Sequence, residues 1–443
     1  MDKIKLTRTG KGQTLYNEAK KIIPGGGQLL SKRPEKFLPE FWPAYYDSAK
    51  GCEVTDLDGN KYIDMSTMGI GACILGYSDD EVNEAVKEAI NKGSMCSLMV
   101  PEEVELANLL IELHPWADMV RYAKGGGDAM AVAVRIARAA TKKDIILFCG
   151  YHGWHDWYLS ANLSDNQALD GQLLAGLSPV GVARGLAHTA NPFFYNNKEE
   201  FLALVKKYDG QIAGVVLEAA RNMNPESDFF ATIESETKRM GVPLIIDEVT
   251  SGFRVNCGGA CEYFGIHPDI AVFAKGIANG YPIAAIIGRK QYMDAAQDSF
   301  ISSTFWTERI GFAAAIASIK KMKRENVQDR LILCGKQVQD GWIKLAEKHG
   351  LDIHISGIYP LSHISFRTDP LPLKTLFCQE LLRRGILGGD AYYASYAHKQ
   401  EHIDKYLKAC DEIFAIMAEA IRKNNYIKLL KGPVAQDSFV RLA

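Results

Sequence analysis

Four short apolar segments, separated by helical patterns, constrain the fold of this chain more than any other feature. They read DIILFCG, IAGVVLE, VPLIID and DIAVFAK, and the segments between them have the apolar spacing of amphipathic helices. Continuous apolar strands of this kind are typical of parallel sheets that helices cover on both faces, because neither side of the strand then meets water. The sequence therefore predicts an α/β fold with a mostly parallel central sheet flanked by helices.

The length of 443 residues exceeds what one hydrophobic core usually holds, so more than one domain is expected. Residues 1–60 are irregular in pattern and turn at Asp58-Gly59, which predicts an N-terminal arm followed by a hairpin segment. Residues 61–306 contain the alternating strands and helices of a large domain. Over residues 307–443, long helices accompany strand-like segments, which predicts a smaller C-terminal α+β domain.

Charge and cysteine content limit the partners and the compartment. The formal net charge is −2, from 51 Lys and Arg against 53 Asp and Glu, which gives no electrostatic reason to expect nucleic acid or an anionic membrane surface. No apolar run reaches the roughly 18 residues of a membrane span, and the N-terminus lacks the apolar core of a secretory signal. The nine cysteines, an odd number in a long chain, indicate free thiols in a reducing compartment. We therefore expect a cytoplasmic protein.

Each of the four predicted strands leads to a chemically active side chain. The first is followed by Tyr151, and the others end at Glu218, Asp247 and Lys275. Ligands of open α/β sheets bind beyond the carboxyl ends of the strands, so these side chains are expected to meet in one crevice. Singly, each has an ordinary structural explanation, such as a helix cap, a surface ion pair or a solvated charge. Four of them at equivalent positions predict a site.

A glycine-rich turn, KGGGDAM at residues 124–130, leads directly into a strongly amphipathic helix. The backbone N–H groups of Gly126, Gly127 and Asp128 at the start of this helix are suited to hold a phosphate group. Neither GxxxxGK[ST] nor GxGxxG occurs here, which argues against a P-loop ATPase and a dinucleotide fold. A lysine, a carboxylate, an aromatic side chain and a phosphate cradle together suit pyridoxal 5′-phosphate (PLP).

In a PLP enzyme these side chains have distinct tasks. The amine of Lys275 forms a Schiff base with the cofactor aldehyde. The carboxylate of Asp247 keeps the pyridine nitrogen protonated, so that the ring acts as an electron sink. The flat ring of Tyr151 stacks on one face of the cofactor. These three residues are the predicted catalytic residues.

Other protein classes explain the same residues less well. A metal-dependent hydrolase would use His152, His155 and Asp156 of CGYHGWHDWY, but no further cluster of ligands is visible, so no metal is expected. A nicotinamide-dependent oxidoreductase would need a glycine-rich loop directly after its first strand, which is not evident. A relative without a cofactor would have little reason to keep Lys275, Asp247 and Tyr151 together.

The segment LIIDEVTSGFR…GGACEYFGIHPDIAVFAKGIANGYPIAAIIGR resembles the signature of the class III, fold-type I PLP-dependent aminotransferases. Within them the chain most resembles the glutamate-1-semialdehyde 2,1-aminomutase branch, over residues 23–395. The resemblance implies that Lys275 is the Schiff-base lysine and that Asp247 contacts the pyridine nitrogen. It also implies that Val249 packs on one face of the ring and Tyr151, from the motif YHG, on the other.

Further site residues are implied by the same resemblance. His152 belongs to the YHG turn beside the cofactor, and Glu218 matches a family glutamate near cofactor and substrate. Thr304 of SSTF matches a threonine that reaches the cofactor phosphate of a neighbouring subunit, which implies a homodimer. The chain departs from the family at its phosphate loop, which usually reads like NSG[ST]EA and lacks a hydroxyl here at Gly127. It departs again at Trp154, where the aminomutases continue as YHGH.

The substrate side is predicted from basic residues. The aminomutases bind a substrate carboxylate with a basic residue shortly after PGG, where this chain has Lys32 and Arg33, and Arg221 is a further candidate. Together with Trp154 they form the predicted substrate-binding set. The expected function is transfer of an amino group between a small amine donor and a keto or aldehyde acceptor, which is acidic or sugar-derived. A glutamate-1-semialdehyde-type 2,1-aminomutase is the alternative, and a metal-dependent hydrolase a remote one.

Overall fold

A computed structural model describes residues 4–165, 167–220 and 222–439 of the chain. The described residues form fourteen β-strands, β1 to β14 in chain order, at Tyr46–Lys50, Glu53–Asp56, Lys61–Asp64, Met119–Ala123, Ile145–Cys149, Ala190–Pro192, Ile212–Glu218, Leu244–Asp247, Ile270–Phe273, Ala284–Gly288, Ile353–Ser356, Leu361–Phe366, Ile386–Leu387 and Ala391–Tyr393.

The described residues also form fifteen α-helices, α1 to α15 in chain order, at Lys11–Ile22, Asp80–Asn91, Pro101–Leu113, Gly126–Thr141, Asp156–Leu159, Ala161–Ser164, Lys198–Lys207, Ser227–Met240, Gly259–Phe264, Lys290–Met293, Arg309–Arg324, Val327–His349, Pro370–Arg383, Gln400–Arg422 and Tyr426–Leu429. Short 3₁₀-helical turns lie at Pro24–Gly26, Leu30–Lys32, Pro34–Lys36, Arg184–Leu186, Lys275–Ala278, Asp294–Gln297 and Thr304–Thr307.

The chain divides into two compact units. The second unit comprises Asp80–Gln328, and the first comprises the residues up to Asp79 together with those from Asp329 onward. The boundaries predicted from the sequence, at 60/61 and 306/307, differ from these divisions. Strand β3, at the start of the predicted large domain, pairs with β13 and belongs to the first unit. Helix α11 packs against α2 and α3, which assigns it to the second.

A seven-stranded sheet forms the centre of the second unit, in the order β4-β10-β9-β8-β7-β5-β6. The four apolar segments that predicted a parallel sheet are β5, β7, β8 and β9, and they pair in parallel with one another in the order β5-β7-β8-β9. Strand β10 runs antiparallel to both of its neighbours. The predicted α/β fold with a mostly parallel sheet is therefore confirmed. Glu218 and Asp247 end β7 and β8 as direct partners across the two strands.

Helix α4 covers this sheet because its apolar residues recur at helical spacing. Met130, Ala133, Ile136 and Ala137 are almost completely buried, in one cluster with strand residues such as Phe148. Burial of a large apolar side chain contributes roughly 1.5–3 kcal/mol, so this packing holds the helix firmly on the sheet. As a result the start of α4 has a fixed position relative to the strands.

In the first unit, β1, β2, β3 and β13 form one sheet, and β11, β12 and β14 form another. The predicted hairpin at Asp58-Gly59 is confirmed, because β2 and β3 pair antiparallel on either side of it. The prediction of an irregular pattern over the first sixty residues is wrong at α1. This helix buries Tyr16 and Ala19 on one face, but its other positions are mostly polar, so the apolar signal in the sequence is weak.

Within the described residues, no helix is both long and apolar enough to cross a membrane. All nine cysteines lie in the described part of the chain and are free thiols, and Cys96 is the one among them that is exposed.

Candidate active site

Asp247 and His152 form a buried pair at the carboxyl ends of β8 and β5. His152 Nδ1 lies 2.8 Å from Asp247 Oδ2, and both side chains are almost completely buried. The other ring nitrogen, Nε2, lies 3.0 Å from the carbonyl oxygen of Cys149, to which it donates a hydrogen bond. The backbone N–H of Val249 donates to the second carboxylate oxygen over 2.9 Å. The carboxylate is thus held in one orientation by contacts on both of its oxygens.

Lys275 lies at the end of β9 in a strained backbone conformation. Its φ angle is +46°, a left-handed value that a residue with a long side chain rarely adopts. Its Nζ donates a hydrogen bond to the hydroxyl of Thr250 over 2.7 Å. Strained backbone of this kind occurs mainly where the surrounding structure imposes it at a functional site. The amine is therefore positioned by both its backbone and its hydrogen bond.

The glycine-rich turn lies directly against Val249. A Cβ atom at Gly126 would lie 2.8 Å from Val249 Cγ1, a distance that real Cβ atoms essentially never show. Gly126 is the first residue of α4, and its lack of a side chain lets Val249 pack directly against the start of the helix. The segment 247–250 therefore contacts three groups: His152 through Asp247, the glycine turn through Val249, and Lys275 through Thr250.

Trp154 and His155 pack against the first turn of α4. A Cβ atom at Gly127 would lie 3.4 Å from the Cδ1 of Trp154 and 3.4 Å from the Cδ2 of His155. The two rings lie 4.4 Å apart between centroids, and His155 Nε2 lies 3.0 Å from Asp128 Oδ1. This cluster of Trp154, His155, Gly127 and Asp128 could not be read from the sequence, because it depends on the turn at Gly153, whose φ is +102°.

Tyr151 is partly buried and packs against the hydrophobic core beneath the sheet end. Its ring meets that of Tyr158 edge-on, with centroids 5.8 Å apart, and Tyr158 in turn donates to the carbonyl oxygen of Gly150 over 3.1 Å. An edge-on aromatic contact of this kind supports one orientation of the ring. Tyr151 is therefore held at the end of β5, next to His152.

Glu218 lies beside a pocket of about 200 Å³. A Cβ atom at Gly150 would lie 2.9 Å from Glu218 Oε2, so glycine at this position makes room for the carboxylate. Gln172 closes the other side, where its side-chain oxygen accepts the backbone N–H of Gly150 over 2.7 Å. Because Gln172 belongs to the long segment between α6 and β6, part of that segment forms the wall of this pocket.

Thr304 is exposed in the turn that precedes α11. That turn is fixed to the glycine-rich loop by an ion pair: Lys124 Nζ lies 2.7 Å from Glu308 Oε2, and both side chains are largely buried. Glu308 also accepts hydrogen bonds from the backbone N–H groups of Ile310 and Gly311 at the start of α11. Lys124, the residue before the glycine-rich turn, thus links that turn to the segment that carries Thr304.

The predicted substrate-binding cations lie in different environments. Lys32 is exposed, whereas the guanidinium of Arg33 packs on Gly25, where a Cβ atom would overlap it. Gly25 has a φ of +74°, so glycine is favoured there by its backbone as well. Both cations belong to the first unit, and Lys275 belongs to the second. Arg221, the third predicted cation, lies outside the described residues.

The two histidines that suggested a metal site have separate partners. His152 pairs with Asp247 and His155 with Asp128, so they do not converge on one point. Among the residues that the structure describes, no group of three or more His, Cys, Asp or Glu side chains could hold a metal ion. The remote hydrolase alternative thus finds no support in the geometry.

The residues present suit the predicted cofactor. An amine, a carboxylate held on both oxygens, an aromatic ring and a glycine-rich helix start lie at or near the carboxyl ends of strands of one sheet, which is the set of groups that PLP needs. Gly126 and Gly127 place no side chain over the backbone N–H groups at the start of α4, which suits the binding of a phosphate group. The sequence predictions missed Thr250, the partner of Lys275. Its place in the signature, three residues after Asp247, was the available signal.

Comparison with known proteins identifies the family. The family profile described as Aminotransferase class-III matches residues 39–392. The chain is 32% identical over 428 residues to the 3-aminobutyryl-CoA aminotransferase of Cloacimonas acidaminovorans, covering 94% of this chain and 98% of that protein. It is 37% identical over 320 residues to the glutamate-1-semialdehyde 2,1-aminomutase of Nitrosopumilus maritimus, covering 70% and 72% of the two chains.

Among solved structures, the fold is similar to that of the FumI protein of Sphingopyxis sp. MTA144 in its PLP-bound form. The TM-score is 0.83 at 26% identity, and the match covers 93% of this chain and 97% of that one. The resemblance stated from the sequence, and the fold-type I architecture that it implied, are both confirmed.

Proposed function

The chain belongs to the class-III aminotransferase family, and from this premise we propose that Lys275, Asp247 and Tyr151 catalyse its PLP-dependent reaction. An aminotransferase of this family moves an amino group between a small-molecule amine donor and a keto or aldehyde acceptor. The observation that supports the proposal most directly is the segment 247–250, whose contacts join the buried carboxylate, the glycine-rich helix start and the strained lysine.

Each residue has a task that follows from its contacts. PLP, when bound, supplies an electron sink that stabilises negative charge on the substrate carbon beside the amino group. Lys275 moves the proton on that carbon as general base and then general acid, from an Nζ that Thr250 positions over 2.7 Å. Asp247 holds the proton on the pyridine nitrogen, in an orientation that its contact with His152 maintains. Val249 and Tyr151 would pack on the two faces of the cofactor ring.

An absorbance spectrum of the purified protein tests this proposal. We expect a band near the edge of the visible range that borohydride reduction removes and that Lys275→Ala lacks. Lys290→Ala, a change at an exposed lysine of the same unit, is the matched control and should retain the band. A colourless protein that takes up no added PLP would contradict the proposal.

The phosphate group is proposed to bind the backbone N–H groups of Gly126, Gly127 and Asp128 at the start of α4. Thr304 is proposed to reach the phosphate from a second copy of the chain, and the enzyme to work as a homodimer in the cytoplasm. Exposure of Thr304 supports this arrangement. Glu218 and His152 are proposed as further neighbours of the cofactor, from their places at the ends of β7 and β5.

The acceptor is proposed to carry a carboxylate or another acidic group near its carbonyl, or to be derived from a sugar. Lys32 is the stronger candidate for binding the acid because its side chain is exposed, whereas Arg33 packs on Gly25. Single changes of Lys32, Arg33 and Arg221 to alanine test this point against Lys61→Ala, an exposed control. The idea fails if none of the three raises the Michaelis constant for an acidic acceptor.

An aminomutase is the second candidate, because a relative named glutamate-1-semialdehyde 2,1-aminomutase is 37% identical to this chain. The two activities differ in whether the amino group leaves with one product or returns to the same molecule. Incubation with one candidate substrate and no second amino donor separates them. Continued turnover would identify a mutase, whereas a single half-reaction would identify an aminotransferase.

A further inference from the structure

The edge of the Trp154 indole ring that carries the N–H group faces the start of α4. A Cβ atom at Gly127 would lie 3.4 Å from Trp154 Cδ1 and 3.5 Å from its Nε1. The turn is tightly packed here, because a Cβ atom at Gly153 would lie 2.9 Å from the Cα of Gly127. The indole N–H therefore lies within a few ångströms of the backbone N–H groups that begin the helix.

This indole N–H is available to a ligand. Within the described part of the chain, no side chain or carbonyl oxygen accepts a hydrogen bond from Trp154 Nε1, and the residue is 67% exposed. In contrast, Trp116 donates to Glu262 over 3.1 Å, and Trp342 donates to the hydroxyl of Tyr406 over 3.2 Å. An indole nitrogen is a donor only, so its natural ligand partner is an acceptor such as a phosphate oxygen.

The neighbouring side chains hold the indole in this place. His155 packs on the Trp154 ring with centroids 4.4 Å apart, and it is fixed in turn by its contact of 3.0 Å with Asp128. The same contact orients the Asp128 carboxylate, with Oδ1 toward the imidazole ring and Oδ2 toward Gly125. His155 thus links the Trp154 ring to the first turn of α4 and supports one position of the indole.

We propose that the Trp154 indole N–H donates a hydrogen bond to the phosphate group of PLP at the start of α4. The indole lies beside Gly127, the position at which the phosphate loop of the family usually carries a hydroxyl group. The inference rests on the proposed function, because it requires the PLP phosphate at this helix. Trp154 is thereby assigned to the cofactor, whereas its sequence context predicted a contact with the substrate.

Titration of the full-length protein, freed of cofactor, tests this assignment. PLP and pyridoxal, which lacks the phosphate group, are added in parallel, and dissociation constants are measured from the absorbance change. Trp154→Phe keeps an aromatic ring on His155 but removes the N–H group. We expect it to weaken PLP binding about tenfold, the effect of one hydrogen bond to a charged group, and to leave pyridoxal binding unchanged.

Two further variants sharpen the result. Trp116→Phe removes an indole N–H that already donates to Glu262, and it should leave both dissociation constants unchanged. Adding Gly127→Ser to Trp154→Phe restores a donor hydroxyl and should recover much of the lost PLP affinity, since glycine is not required there by a positive φ. Equal weakening of PLP and pyridoxal by Trp154→Phe, or no change in either, would overturn the proposal. If the unaltered protein itself binds no PLP, the proposed function fails with it.

Discussion

One ion pair beside the glycine-rich turn, between Lys124 and Glu308, contributes to the stability of the folded protein. Their side chains are only 18% and 16% exposed, and the pair joins the residue before the glycine turn to the residue that caps α11. Removing the lysine charge destabilises the folded protein, because the carboxylate stays largely shielded from water but loses its ion-pair partner. The pair therefore stabilises both ends of the proposed phosphate site together.

We expect Lys124→Met to lower the free energy of unfolding by about 2 kcal/mol, less than for a fully buried pair because some solvent reaches these groups. Urea unfolding followed by circular dichroism measures the change. Lys87→Met is the control, since its ion pair with Glu84 is 64% and 67% exposed and should contribute nothing measurable. Equal stability of the two variants would show that the Lys124 pair is also dispensable.

His398 makes the first unit sensitive to acid. Its Nε2 lies 2.8 Å from the carbonyl oxygen of Asp64, its Nδ1 accepts the backbone N–H of Ser395 over 3.1 Å, and burial lowers the pKa of the ring to about 4. In the unfolded chain the ring titrates near 6.5, so below that pH the unfolded state binds the proton first. Stability should fall as the pH drops from about 6.5 toward 4, by up to about 3 kcal/mol.

Thermal midpoints at pH 7.5 and pH 5 measure this effect. His398→Gln should show a smaller drop between the two pH values than the unaltered protein does, because it removes the titrating ring. His267→Gln, at a side chain that is 75% exposed, should keep the full drop. An unchanged pH dependence in His398→Gln would assign the acid sensitivity to other groups.

Among the elements, α12 depends on one glycine. A Cβ atom at Gly335 would overlap the backbone carbonyl of Tyr359, so the chain before β12 passes directly over the helix at this point. Alanine normally stabilises a helix relative to glycine by about 1 kcal/mol. Here the neighbour is backbone and cannot rotate away, so the clash outweighs the gain in helix propensity.

Gly335→Ala should therefore destabilise the protein by about 2–3 kcal/mol, the cost of overpacking. The midpoint of urea unfolding measures this loss of stability. Gly185→Ala is the control: no heavy atom lies within 4 Å of a Cβ atom there, so its stability should change little. If Gly335→Ala were as stable as the control, the loop before β12 would have to move aside freely.

The elements that carry the site could be predicted from the sequence because their signals are local. Four apolar runs predicted β5, β7, β8 and β9, and the rule that ligands bind at strand ends indicated Tyr151, Asp247 and Lys275. The pairs Lys275 with Thr250 and His155 with Asp128 could not be predicted, because each joins residues at least 25 positions apart through one turn geometry. Helix α1 was missed for another reason, since it has few apolar residues.

At the scale of the whole molecule, large apolar side chains are exposed in two segments of the second unit. Met99 and Leu98 are 85% and 79% exposed, and Phe300 and Phe305 are 87% and 67% exposed. Arg309 links the two segments, since its backbone N–H donates to Ser94 and its guanidinium pairs with Glu102. Exposed apolar side chains in this number are typical of a surface that another chain covers.

The proposed homodimer makes a direct prediction for this surface. Phe305→Asp should shift the protein toward the mass of a single chain in sedimentation velocity, because it places a charge in an apolar interface. PLP should also bind more weakly, since Thr304 of the second copy would no longer reach the phosphate. Tyr263→Asp, at a side chain that is 53% exposed elsewhere in the unit, is the control and should sediment as the unaltered protein does. A variant at Phe305 that stays dimeric would place the interface elsewhere.

The arrangement of residues 247–250 has a consequence for how enzymes of this kind can diversify. The carboxylate of Asp247, the side chain of Val249 and the hydroxyl of Thr250 that contacts the lysine lie within four consecutive residues, so a one-residue insertion or deletion would displace all three at once. The pocket wall at Gln172 belongs to a long loop that can change length without moving them. Libraries meant to alter the accepted substrate should therefore vary residues 167–183 in sequence and length, and leave 247–250 untouched.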